Sequence, residues 1–187
     1  VTIAQDVAFH EMGHHKLKHD AQGLGCPEDL RGKEIAVDAV AKAMLEVGRF
    51  SQQGALHLEN LIADIIDNTN CSQYTKMNGL SMYFAEQGEV NGTKYSPLFE
   101  VFVKLNMFLY GTTRQEKMLR AYYTNEKRID DIVAACIQDV GLTKDKKQNI
   151  KTLFDKPQWS QIFFTFAKHL APLMDHDAPE VMPHIGA

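Results

Sequence analysis

Helical spacing of apolar residues constrains the fold of this chain more than any other feature of its sequence. Apolar side chains recur three or four positions apart along most of the first 174 residues. No stretch alternates apolar and polar residues convincingly enough to predict a β-strand. Glycines and prolines interrupt the pattern at intervals typical of helix ends. The sequence therefore predicts a mainly α fold.

The pattern divides into nine predicted helices. Leu56 is expected to belong to the buried face of the third helix, and Thr143 is expected to cap the eighth. Residues 1–174 are predicted to form one domain, and residues 175–187, which contain Pro179 and Pro183, a C-terminal tail or linker. The predicted helices cover residues 3–19, 29–48, 51–69, 81–87, 97–110, 112–122, 126–140, 144–154 and 158–174.

Composition narrows the class of protein. Acidic residues outnumber basic ones by 24 to 20, so the net charge of −4 argues against a nucleic-acid partner. No run of about 18 apolar residues is present, which argues against a membrane-spanning segment. Three cysteines, Cys26, Cys71 and Cys136, are widely spaced and form no CxxC pair, which favours reduced thiols and a cytoplasmic setting.

The most informative motif is HEMGH at residues 10–14, which fits the pattern H-E-x-x-H. On a helix, residues four apart lie on one face, so His10 and His14 can bind one Zn²⁺ ion. Glu11 is rotated by about 100° from His10, which puts it beside the metal rather than on it. There it can act as a general base toward a water molecule at the zinc. The sequence therefore predicts a zinc site with His10 and His14 as ligands and Glu11 as the catalytic residue.

A catalytic zinc ion takes three protein ligands, so a third must come from elsewhere in the chain. The candidates are Asp64, Glu59 and Asp38. Asn60, Asp64 and Asn68 form a polar stripe on an otherwise apolar helix, an arrangement that is costly unless these groups are paired or bind something. Asp64 is therefore the preferred third ligand, ahead of Glu59 and Asp38. The alternative role for Asp64 is to accept a hydrogen bond from a ligand histidine without binding the metal itself.

HEMGH followed by a helix that reads N-x-x-x-D-x-x-x-N resembles the HExxH zinc metallopeptidases of the zincin superfamily. The similarity is greatest to the metallopeptidases associated with von Willebrand A-type domains in bacteria, archaea and phages. The stretch from Ser96 to Asn106 is also similar to a helix of that group. The resemblance covers roughly residues 3–20 and 56–110. In gluzincins the third ligand is the glutamate of an E-x-x-x-D helix, whereas the matching positions here are Asn60 and Asp64.

The resemblance implies a zincin-like helical domain whose N-terminal β-strands are missing or minimal. It implies an endopeptidase-like zinc hydrolase that acts on a peptide or protein substrate, with a von Willebrand A-type partner domain as a further expectation. Zincins bind substrate along a strand that precedes the HExxH helix, so we expect the natural chain to extend upstream of Val1. The alternative is a non-catalytic zincin-like module that serves as a structural or partner-binding part of a larger assembly.

Overall fold

The structure is a computed structural model that describes residues 4–6, 8, 10, 30–90 and 94–174. These residues form helices joined by turns and short loops, and no strand occurs among them. A first helix, α1, contains residues 4–6, 8 and 10. The remaining α-helices are α2 (Leu30–Glu46), α3 (Gln52–Cys71), α4 (Asn78–Val90), α5 (Pro97–Tyr110), α6 (Thr113–Leu119), α7 (Lys127–Val140), α8 (Lys146–Leu153) and α9 (Trp159–Leu170). Short 3₁₀ helices cover Arg120–Tyr122, Lys156–Gln158 and Ala171–Leu173.

The predicted mainly α fold is confirmed for this part of the chain, and several helix ends agree closely with the sequence pattern. Helix α5 begins at Pro97, where the missing N–H of proline costs no intrahelical bond. The side chain of Ser96 caps it by accepting a bond from the Phe99 amide. Helix α7 ends at Gly141, whose backbone has the left-handed conformation that glycine adopts without strain.

Two local predictions were wrong. Asp145, rather than Thr143, caps α8, because its carboxylate accepts bonds from the backbone amides of Lys147 and Gln148. Leu56 leaves 42% of its surface exposed, although the rest of the apolar set predicted for α3 is buried. Gly54 and Ala55 in the same turn are buried, so Leu56 is exposed because of the side of the helix on which it lies, which it shares with the exposed Asn60.

The core lies between helices that are distant in sequence. Helix α9 packs along α2 and also against α3 and α7, while α5 packs against α3 and α7. Trp159, at the start of α9, is 1% exposed and donates a hydrogen bond to the Leu153 carbonyl. Phe84 of α4 packs edge-on against Phe99 and Phe102 of α5. This packing buries the facing surfaces of α3 and α5, from which the candidate site is built.

Two further sequence predictions concern the C-terminal tail and membrane-spanning segments. The predicted tail, residues 175–187, lies outside the described residues. Among the helices that the structure describes, none has the length and apolar character needed to cross a membrane.

Candidate metal centre

His10 is buried against α3, with 2% of its surface exposed. Its Nδ1 atom lies 2.9 Å from Oδ1 of Asn68. Its Nε2 atom lies 3.5 Å from Oδ1 of Asp64, one turn earlier on the same helix. The imidazole of the HExxH motif therefore faces two members of the polar stripe that the sequence had singled out on α3.

That polar stripe runs from the surface into the core. Asn60 is exposed, the side chain of Asp64 is 24% exposed, and Asn68 is fully buried. Residues four apart on a helix share one face, so Asp64 and Asn68 can meet the same ring from two sides. Asp64 approaches His10 and is also partly open to solvent, and a catalytic zinc site keeps one position open for water.

A second asparagine supports the first from α5. Asn68 Nδ2 donates to Oδ1 of Asn106 at 3.1 Å, and Asn106 Nδ2 donates to the Phe102 carbonyl at 2.8 Å. Asn106 is fully buried between α3 and α5. Buried amides are costly unless their donors and acceptors are used, and these bonds use them. The polar contacts of His10 therefore continue through the core to the backbone of α5.

Asp6, one turn before His10 on α1, fixes the other end of the described part of that helix. Its carboxylate is 4% exposed and accepts bonds from the Thr75 hydroxyl, at 2.6 Å, and from the backbone amide of Gly79. Gly79 is the second residue of α4, where helix amides lack partners within the helix and favour a negative charge. Thr75 in turn accepts a bond from the Met77 amide. The helix that carries His10 is thus held by a charged contact as well as by the ring.

Tyr110, one turn after Asn106 on α5, extends the polar region. Burial raises the pKa of Tyr110 well above its ordinary value of 10.0, and the nearby Cys71 and Asp6 raise it further. Its hydroxyl has no hydrogen-bond partner among the described residues. Tyr110 is therefore a neutral phenol inside the core, near Asp6 and Cys71.

The separation between His10 and Asp64 fits two ligands of one zinc ion. At Zn–N and Zn–O distances of about 2.1 Å and a tetrahedral angle, two ligand atoms are about 3.4 Å apart. The observed separation is 3.5 Å, whereas N–H···O hydrogen bonds are usually about 2.9–3.0 Å long. An imidazole nitrogen and a carboxylate oxygen are also ligand types that zinc prefers.

The other members of the predicted site are distributed as follows. Glu11 and His14 lie outside the described residues, so the described part of the chain supplies His10 and Asp64 alone from the predicted set. Within that part, no group of three or more His, Cys, Asp or Glu side chains is arranged to hold a metal ion. Of the alternative third ligands, Asp38 is exposed on α2, and Glu59 is fully buried on α3.

Sequence reasoning missed two residues that build this region. Asp6 lies four positions before His10, and this spacing could have marked it as a neighbour of the site. Asn106 is the one uncharged polar residue between Val101 and Tyr110, a run of mostly apolar side chains. A buried amide in such a helix needs a partner, and this requirement was the available signal.

Comparisons of the whole sequence with protein-family models, with curated proteins and with solved structures find no match. The resemblance to the zincin superfamily therefore depends on the HExxH motif and the polar stripe of α3.

Proposed function

We propose that this protein is a zinc-dependent metallopeptidase whose metal is held by His10, His14 and Asp64. The observation that supports the proposal best is the 3.5 Å approach of His10 Nε2 to Asp64 Oδ1. Asp64 lies 54 positions after His10 in the sequence, and the polar stripe of α3 by itself favours Asp64 as the third ligand. A zincin-like fold and a von Willebrand A-type partner domain are the finer parts of the proposal, and both are implied by the resemblance in the HExxH motif and the polar stripe of α3.

When bound, zinc supplies a Lewis acid and lowers the pKa of a coordinated water to about 7. The chain's own residues have separate tasks. Asp64 and the two histidines would hold the metal. Glu11 takes the proton from the attacking water and passes it to the leaving amine of the peptide. Asn68, on the far side of the ring, holds His10 in its orientation.

Zinc binding by variants of His14, Asp64 and Glu59 tests which residues are the metal ligands. The full chain is freed of metal and titrated with zinc in competition with a chromophoric chelator. We expect one zinc per chain, and an affinity loss of at least about 10- to 100-fold in His14→Gln and Asp64→Asn. Asp38→Asn is the matched control, since that carboxylate is exposed on another helix. Loss of zinc in Glu59→Gln, with Asp64→Asn unaffected, would assign the third ligand to Glu59. Failure of the unmodified chain to bind zinc would refute the proposal.

Peptide hydrolysis tests the catalytic role of Glu11. We expect Glu11→Gln to bind zinc like the unmodified chain and to hydrolyse a quenched fluorescent peptide library about 10²- to 10⁴-fold more slowly. Undiminished hydrolysis in this variant would rule out Glu11 as the base. Zinc binding without hydrolysis in the unmodified chain would instead support the alternative, a non-catalytic zincin-like module.

A further inference from the structure

We infer that Asn68 and Asn106 are positioning residues that fix the tautomer of His10, with the proton on Nδ1 and the lone pair of Nε2 directed toward Asp64. The inference concerns the metal-free protein. Its consequence for metal affinity rests on the proposed function.

The direction of the hydrogen bonds begins at the Phe102 carbonyl. A carbonyl oxygen accepts and never donates, so the atom of Asn106 that lies 2.8 Å from it must be the amide nitrogen. The oxygen of Asn106 therefore faces Asn68, and the atom of Asn68 at 3.1 Å must be its amide nitrogen. Each amide has a nitrogen that donates and an oxygen that accepts. The orientation of the Asn106 amide on α5 therefore fixes the orientation of the Asn68 amide on α3.

The same reasoning assigns the proton on His10. Because the nitrogen of Asn68 is directed to Asn106, its oxygen faces Nδ1 of His10 at 2.9 Å. An oxygen acceptor requires a donor, so Nδ1 carries the proton. In a neutral imidazole Nε2 then carries the lone pair, and Nε2 is the atom that faces Asp64 at 3.5 Å.

Burial makes it hard to reverse the direction of these hydrogen bonds. Asn68 and Asn106 are fully buried and His10 is 2% exposed, so water has little access to any group that loses its partner. Rotating either amide would set a carbonyl oxygen against another acceptor. A histidine side chain in water favours the opposite tautomer, with the proton on Nε2, so the protein environment has to impose the one inferred here.

The arrangement has a direct chemical consequence. A carboxylate oxygen and a nitrogen lone pair, both rich in electrons, face each other across 3.5 Å. Both atoms are of ligand types that zinc prefers. The asparagine pair therefore presents the Nε2 lone pair of His10 on the side of the ring that faces Asp64.

Nuclear magnetic resonance of the full chain, labelled with ¹⁵N-histidine and kept metal-free with a chelator, tests the inference. Spectra are recorded at a pH high enough for imidazoles to be neutral, and the His10 signals are identified as those missing in His10→Gln. We expect a protonated Nδ1 and an unprotonated Nε2, with this tautomer at least about 10-fold favoured. A His10 ring protonated on Nε2 would overturn the inference.

A variant of Asn68 then tests whether this residue sets the tautomer of His10. Asn68→Leu removes the acceptor, so we expect the Nε2-protonated form to become prominent. Asn60→Leu, an exposed asparagine two turns earlier on α3, is the matched control. An unchanged His10 spectrum in a folded Asn68→Leu protein would show that Asn68 does not set the tautomer.

Zinc affinity separates this inference from the proposed function. If the proposed function holds, Asn68→Leu and Asn106→Leu should bind zinc about 10- to 100-fold more weakly, as is typical when a group that orients a metal ligand is lost. Unchanged affinity in both variants would contradict a positioning role at a metal site. The inferred tautomer in a chain that binds no zinc would refute the proposed function and leave the positioning of His10 standing.

Discussion

The contact between Asp6 and α4 leads to the prediction that can be worked out most fully. Replacing Asp6 with alanine removes a nearly buried carboxylate that accepts bonds from the Thr75 hydroxyl and the Gly79 amide. Both donors then lack this acceptor, and the Gly79 amide lacks it at a buried position. The described part of α1 also loses the charged contact that holds it one turn away from His10.

The expected cost follows from these two bonds. A hydrogen bond to a charged group contributes about 1.5–3 kcal/mol, and removing the carboxylate also removes the cost of burying it, so we expect Asp6→Ala to lower the free energy of unfolding by about 3 kcal/mol. In Asp6→Asn, the amide oxygen can still accept from Gly79 and the amide nitrogen can donate to the Thr75 hydroxyl. This variant loses mainly the charge, and we expect a cost of about 1 kcal/mol.

Urea unfolding followed by circular dichroism measures the difference. With a slope of about 2 kcal/mol per molar urea, the midpoint should fall by about 1.5 M in Asp6→Ala and by about 0.5 M in Asp6→Asn. Exchange of the Gly79 amide with solvent should become faster in Asp6→Ala. Asp38→Ala, at an exposed carboxylate on α2, should stay within about 0.5 kcal/mol of the unmodified chain. If Asp6→Ala also stayed within that range, Asp6 would not be an anchor of α1.

Two further predictions concern the core. Phe84 is fully buried, with its ring centroid 6.0 Å from that of Phe99 and 5.6 Å from that of Phe102. We expect Phe84→Ala to cost about 3–5 kcal/mol in urea unfolding. Met82→Ala, at a half-exposed position on the same helix, should cost much less; equal costs would contradict the packing described here. Burial, with a smaller contribution from Asp139, raises the pKa of Cys136 from 9.0 to about 12. The thiolate fraction at pH 8 is therefore lower in the folded protein, and iodoacetamide should alkylate Cys136 about 1000-fold more slowly than in urea, as followed by mass spectrometry. Equal rates would show that the thiol is accessible.

Much of the secondary structure could be predicted from the sequence, because helix ends depend on local chemistry. Pro97 and Gly111 mark the two ends of α5 through backbone effects that require no knowledge of the rest of the fold. The capping of α8 was predicted less well, since Thr143 and Asp145 are both suitable and their competition depends on the geometry of the turn. The exposure of Leu56 could have been predicted, because at about 100° per residue Leu56 lies nearly opposite the buried Leu61 and Ile65 and on the side of the exposed Asn60.

The candidate site was also predictable from the sequence only in part. The sequence by itself determined the HExxH motif and the polar stripe of α3, because residues four apart share one side of any helix. It ranked Asp64 ahead of Glu59 and Asp38 without being able to say which of them approaches the motif.

The tertiary structure decided that Asp64 faces His10, that Asn106 supports Asn68 from α5, and that Asp6 holds α1 to the start of α4. The contacts from α1 join residues more than 50 positions apart, and the bond between Asn68 and Asn106 spans 38. Such contacts depend on how whole helices pack around a shared core, and the local spacing of residues in the sequence does not encode that packing.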